Sequence, residues 1–80
     1  MHDNTPRPIV GLFAANLRRY RRASNLSQER LAGLAGVDRT YVSSCERGLR
    51  NVTIGTLAEL ARALRVPASA LIAEGSQNEP

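Results

Sequence analysis

Arg39, Thr40, Tyr41, Ser43 and Ser44 crowd into six consecutive positions of an 80-residue chain and together offer the chemistry that reads base edges. A guanidinium is planar and can bond O6 and N7 of one guanine at once, while a threonine methyl can meet the methyl of a thymine. On a helix, Val42, Cys45 and Glu46 share one face and turn inward. Arg39, Thr40, Ser43, Ser44 and Arg47 then show outward, a surface suited to the major groove of duplex DNA. Contact with phosphate or solvent alone is the blander alternative for Arg39, because many protein–DNA bonds go to the backbone. Tyr41 lies on the flank, with the sugar-phosphate wall as its alternative partner.

A second helical pattern precedes this one. Ser27 and Asp38 each stand where a side-chain oxygen can cap a first-turn amide, so the pattern predicts helices over 28–35 and 39–47. Leu31, Ala32 and Ala35 give the first an apolar stripe, and Gly36-Val37-Asp38 breaks between them. A turn this short sets two helices at a steep angle, the helix-turn-helix geometry. Gln28 then starts the first helix of the pair, where its amide or side chain can bond a backbone phosphate. Arg47, Arg50, Asn51 and the amides after Thr53 are expected to grip the strand on the other side. An ordinary polar loop is the alternative for Arg50 and Asn51.

The flanking sequence supplies a scaffold. A helix is expected from Ile9 or Val10 to about Ala23, with Phe13, Leu17 and Tyr20 inward and Arg18, Arg19, Arg21 and Arg22 interrupting. Arg18, Arg19 and Arg22 read as a solvated face, with long-range attraction of DNA as the alternative. Ser24-Asn25 breaks that helix, and Gly48 is placed as the left-handed stop after the 39–47 helix. Thr53 caps a helix over 54–64, whose Leu57, Leu60, Ala61 and Leu64 follow the helical spacing. Pro67 opens a short last helix ending near Ile72. The predicted fold is all-α, a compact five-helix bundle over 9–73, with a flexible arm at 1–8 and a flexible tail at 74–80. Val66, Pro67, Leu71 and Ile72 add apolar surface at its C-terminal end, read as a two-fold dimer interface, with the core as the alternative for Leu71.

Composition agrees with this scheme. The net charge is +4, and all eleven basic residues are arginine. A chain this short buries roughly 60% of the surface that its unfolded form exposes, so a partner can add needed stability. Cys45, the single cysteine, falls on an inward face and reads as a small core residue. No intrachain disulfide can form, which suits a reducing cytoplasm. No metal-ligand spacing, secretory signal or membrane-length apolar run is read, and no cofactor is implied.

The pattern Leu17, Arg21, Leu26-Ser27-Gln28-Glu29, Leu31-Ala32, Gly36-Val37, Val42, Glu46 and Gly48 resembles the phage-repressor/Cro type of helix-turn-helix domain, the lambda-repressor-like class. More narrowly, Asp38-Arg39-Thr40-Tyr41-Val42-Ser43, Glu46-Arg47 and Arg50-Asn51-Val52-Thr53-Ile54 resemble the controller proteins of restriction–modification systems. Those often carry Gly where this chain has Ser44, and a bulky apolar residue in place of Cys45. The resemblance implies a homodimer on a partly palindromic operator, acting in the cytoplasm with the nucleoid of a bacterium or phage host. It implies base reading from the first turns of the third helix and an ion pair between Arg21 and Glu46. An inward acid needs such a partner to offset desolvation, whereas an exposed helix-end carboxylate would not. RNA polymerase is a further partner if the protein activates, and exposed Glu29 does not decide that.

Other classes compete. A stand-alone phage-type repressor shares much of the pattern. An antitoxin would use its tail or first helix to block a toxin, for which this chain is short. A membrane-surface helix over Phe13–Arg22 is disfavoured by the other amphipathic helices, which imply a core of their own. No nucleophile, base and pocket can be assembled for an enzyme.

Overall fold

The computed structural model describes residues 8–74. Most of the expected N-terminal arm and C-terminal tail therefore lies outside the described residues. Four α-helices and a closing 3₁₀ turn follow one another: α1 Pro8–Ala23, α2 Gln28–Ala35, α3 Arg39–Glu46, α4 Ile54–Leu64, then Ala68–Ile72. The fifth predicted helix is thus a single 3₁₀ segment. Five residues after a proline are too few for stable α-helical hydrogen bonding. Pro8, assigned to the arm, is instead the first residue of α1, where its missing amide costs nothing.

The core forms where the stripes meet. Leu17, Leu31, Val42, Cys45, Leu60 and Leu71 are fully buried, with Phe13, Ala32, Ala35, Ala61 and Leu64 around them. Helix α2 packs on α3 and α4, while α1 packs on α3 and on the 3₁₀ turn. Leu71, expected at a dimer interface, is at 0% exposure a core residue of the single chain. In so small a bundle the last turn has to close the core, and Leu71 is the side chain that does so.

One buried polar residue holds that last turn. Asn16 sits on the inward stripe of α1, and its Nδ2 donates to the carbonyls of Leu71 at 3.1 Å and Ala73 at 3.0 Å. Short 3₁₀ segments leave their final carbonyls without helical partners, and this amide supplies one from across the bundle.

All four α-helices end alike. Asn25, Gly36, Gly48 and Arg65 take the left-handed conformation. The next amides, of Leu26, Val37, Leu49 and Val66, bond back to Arg21, Ala32, Ser44 and Ala61 at 3.0–3.1 Å. This is the Schellman closure, in which an aliphatic residue follows the left-handed one. Two of the four left-handed positions lack glycine. The left-handed form costs an L-residue roughly 1–2 kcal/mol, part of which glycine gives back as unfolded-state entropy. Arg65→Gly is therefore expected to stabilise the fold by about 0.5–1 kcal/mol, raising Tm by a few degrees. A lower Tm in a thermal melt would show that the Arg65 side chain contributes more than its backbone strain costs.

Candidate nucleic-acid interface

Serine 27 fixes the start of α2, accepting from the Arg30 amide at 2.9 Å. Asp38 occupies the corresponding place before α3 but makes no side-chain cap bond. Its carbonyl alone begins the helix, accepting from Tyr41 at 3.0 Å and Val42 at 3.2 Å. The expected cap is thus present as backbone only, with the carboxylate exposed beside Arg39.

The orientation of α3 is set from below. Arg21 Nε donates to Glu46 Oε2 at 2.6 Å, and Arg21 Nη2 donates to Glu46 Oε1 at 2.9 Å. The same guanidinium uses Nη1 to bond the Leu26 carbonyl at 2.8 Å. Gln28 Nε2 adds a bond to Glu46 Oε1 at 3.1 Å, and Arg18 Nε stands 3.6 Å from that oxygen. The Glu46 side chain is 1% exposed. Burial alone would push its carboxyl up, but the hydrogen bonds from Arg21 and Gln28 and the charges of Arg21 and Arg18 hold it below the ordinary range. Arg21 is raised in turn, chiefly by its hydrogen bond to Glu46.

The expected reading face stands on this base. Arg39 and Thr40 are exposed in the first turn of α3, while Tyr41, Ser43 and Ser44 are half-buried beside them. Arg47 follows the last turn and is exposed, as are Arg50 and Asn51 in the loop to α4. The Arg50 guanidinium lies 5.0 Å from the centre of the Tyr41 ring, joining that loop to the helix. Burial pushes the Cys45 thiol up to about 11, opposed by Arg50 and reinforced by Glu46, so it stays protonated in the core.

Two expected phosphate groups have other duties. The Gln28 side chain is half-buried and bound to Glu46, which leaves its main-chain amide at the helix start as the group facing outward. Thr53 Oγ1 accepts from the Thr56 amide at 3.1 Å and donates to the Thr56 hydroxyl at 3.1 Å, so it serves as the cap of α4. Sequence reasoning missed Asn16, the Gln28–Glu46 bond and the Tyr41–Arg50 contact. Only Asn16 had a signal, being an amide three residues after Phe13 on an apolar stripe. At the C-terminal end, Val66 is half-buried against the core and Pro67 is exposed. Ile72, 38% exposed, borders a largely apolar recess with Ile9, Val52 and Leu57, which Arg50 and Asn51 also line.

Two short helices joined by the Gly36-Val37-Asp38 turn, the second tied to α1 by a buried ion pair and showing a polar face, define a helix-turn-helix domain. The chain belongs to the helix-turn-helix family, which matches it over residues 17–71. It is 48% identical over 72 residues to the control protein C.SmaI of Serratia marcescens, covering 89% of this chain and 86% of that protein. It is 43% identical over 56 residues to the control protein C.BamHI of Bacillus amyloliquefaciens, covering 69% of each. The crystal structure of the restriction-modification controller protein C.AhdI from Aeromonas hydrophila superposes with a TM-score of 0.76 at 45% identity. That match covers 78% of this chain and 94% of the other.

The ion pair makes stability depend on pH. A carboxyl held below its ordinary value of 4.5 contributes fully above that pH, and its contribution is lost as pH falls through the lower folded value. Glu46→Gln is expected to cost about 3 kcal/mol at neutral pH, because it leaves Arg21 half-buried without a charge partner. The parent should also lose more stability than this variant as pH drops below 4.5. Denaturant melts across pH 3–7 check both; parallel pH profiles would show that Glu46 gains nothing from its partners.

Proposed function

We propose that this protein is a sequence-specific transcription regulator that binds a partly palindromic operator as a homodimer, as a restriction–modification controller does. The observation that carries the proposal is the exposed first turn of α3, bearing Arg39 and Thr40 and fixed from beneath by Arg21 and Glu46. A reading helix must be held rigidly if its side chains are to distinguish bases. Relatives named as control proteins support this reading over an antitoxin or a stand-alone phage-type repressor. Arg39 is assigned to guanine and Thr40 to an adjacent base, with Tyr41, Ser43 and Ser44 completing the contact. Arg47, Arg50, Asn51 and the main-chain amide of Gln28 are assigned to phosphates. Such a protein works in the cytoplasm, at the nucleoid. Among the described residues, no helix is long and apolar enough to cross a membrane.

The dimer is assigned to the face carrying Ile72. That residue shares its recess with Leu57 and Ile9, and a self-complementary apolar patch is what a two-fold contact buries. The two reading helices would then meet successive major grooves about 34 Å apart.

Arg39→Ala should cost about 1–3 kcal/mol of binding and relax preference at one position of each half-site. Affinities for duplexes carrying each of the four bases at every position check this. Equal losses on all four would make Arg39 a phosphate contact. Ile72→Asp should give a folded monomer with weakened operator binding. An unchanged dimer in sedimentation would place the interface on another face.

A further inference from the structure

A concavity of about 550 Å³ lies between α1 and the end of α3. Its α1 side carries Arg18, Arg19 and Arg22 over Gly11, Ala14 and Ala15, and its α3 side carries Glu46, Arg47 and Gly48. Four of the chain's eleven arginines therefore line one groove, together with the small residues Gly11, Ala14 and Ala15. Glu46 presents almost no surface and is neutralised by Arg21, with Arg18 Nε also 3.6 Å from its Oε1. Among the described residues, neither Arg22 nor Arg47 has a carboxylate partner. Arg19 is partly drawn aside, over the Tyr20 ring at 4.5 Å and toward Asn16 Oδ1 at 3.4 Å.

We propose that this groove holds a stretch of DNA backbone, with Arg18, Arg22 and Arg47 bonding consecutive phosphates of the duplex whose bases α3 reads. The inference rests on the DNA-binding function proposed above and assigns a second contact to it. Three features favour a phosphodiester strand. Guanidinium groups bind phosphate oxygens in a two-pronged way and keep their charge at any working pH. The small residues Gly11, Ala14 and Ala15 in the lining leave room for a strand beside the arginines. The groove is also continuous with the reading helix, because Arg47 is the residue that follows its last turn. Carbonyls at a helix C-terminus ordinarily repel anions. Here those of Ser44 and Cys45 are occupied by the Leu49 amide at 3.0 Å and the Gly48 amide at 3.1 Å. The α1 arginines, expected from sequence to be a solvated face, gain a defined ligand.

The test compares the parent with Arg22→Gln and Arg22→Lys on the operator and on a random duplex across a salt series. Arg22 is exposed, so thermal melts should be unchanged in both variants. Each lost phosphate contact lowers the log–log salt slope by about 0.9, so a dimer carrying Arg22→Gln should lose nearly two units. Operator and random DNA should weaken by the same factor, and Arg22→Lys should restore most of the slope. Ethylation interference should show phosphates that matter to the parent and not to Arg22→Gln. An unchanged slope in Arg22→Gln would overturn the proposal, including a result in which that variant lost affinity only for an acidic polypeptide. A parent that bound operator and random duplex equally would instead defeat sequence-specific reading, and the slope comparison on random DNA would still decide the groove.

Discussion

The geometry of this domain hangs on the carboxylate of Glu46. Arg21 reaches it from α1, Gln28 from α2, and it stands in the final turn of α3, so one buried anion ties three helices together. Arg21 also bonds the Leu26 carbonyl in the turn between α1 and α2, which fixes the entry to the helix pair. Replacing such a cluster with apolar residues could yield an equally stable core, since desolvation offsets much of the Coulombic gain. An apolar core would not dictate direction in the same way. Two-pronged hydrogen bonds set both the distance and the rotation of α3, and rotation decides which side chains face a groove.

A second clamp works from the middle of α1. Asn16 holds the carbonyls of Leu71 and Ala73, and so brings Leu71 down onto the core and leaves Ile72 at the surface. The helix that fixes the reading element thus also fixes the segment assigned to dimerisation. The spacing of two reading helices in a dimer would then be inherited from one rigid helix in each subunit. This division of labour leaves the opposite face of α1 open to carry its arginines.

Much of this was legible because spacing and burial agree. Val42, Cys45 and Glu46 read as the inward face of α3 and are all buried; of the α4 stripe, Leu60, Ala61 and Leu64 are buried and Leu57 is half-buried. The helix ends were half legible. Gly36 and Gly48 announce left-handed stops, whereas Arg65 does so only through the aliphatic residue after it, as Asn25 does before Leu26. Leu71 stayed open between core and interface, because an apolar residue at that end of the bundle looks the same whether it closes a core or meets a partner; the structure puts it in the core. The site was legible in its residue types but not in their commitments. That Gln28 would be bound to Glu46, or Arg50 stacked on Tyr41, depends on contacts between elements that periodicity cannot express. Asp38 shows the converse, a residue of the right type and place whose side chain makes no cap bond.

The central claim is that a rigidly held α3 reads bases symmetrically in a dimer. Selecting bound duplexes from a random-sequence pool tests it most directly, because no operator has to be assumed. Two inverted half-sites should be enriched, with centres about one helical turn apart and each containing a guanine for Arg39. A pool that shows no sequence preference after selection, or enriches a single unrepeated element, would contradict it.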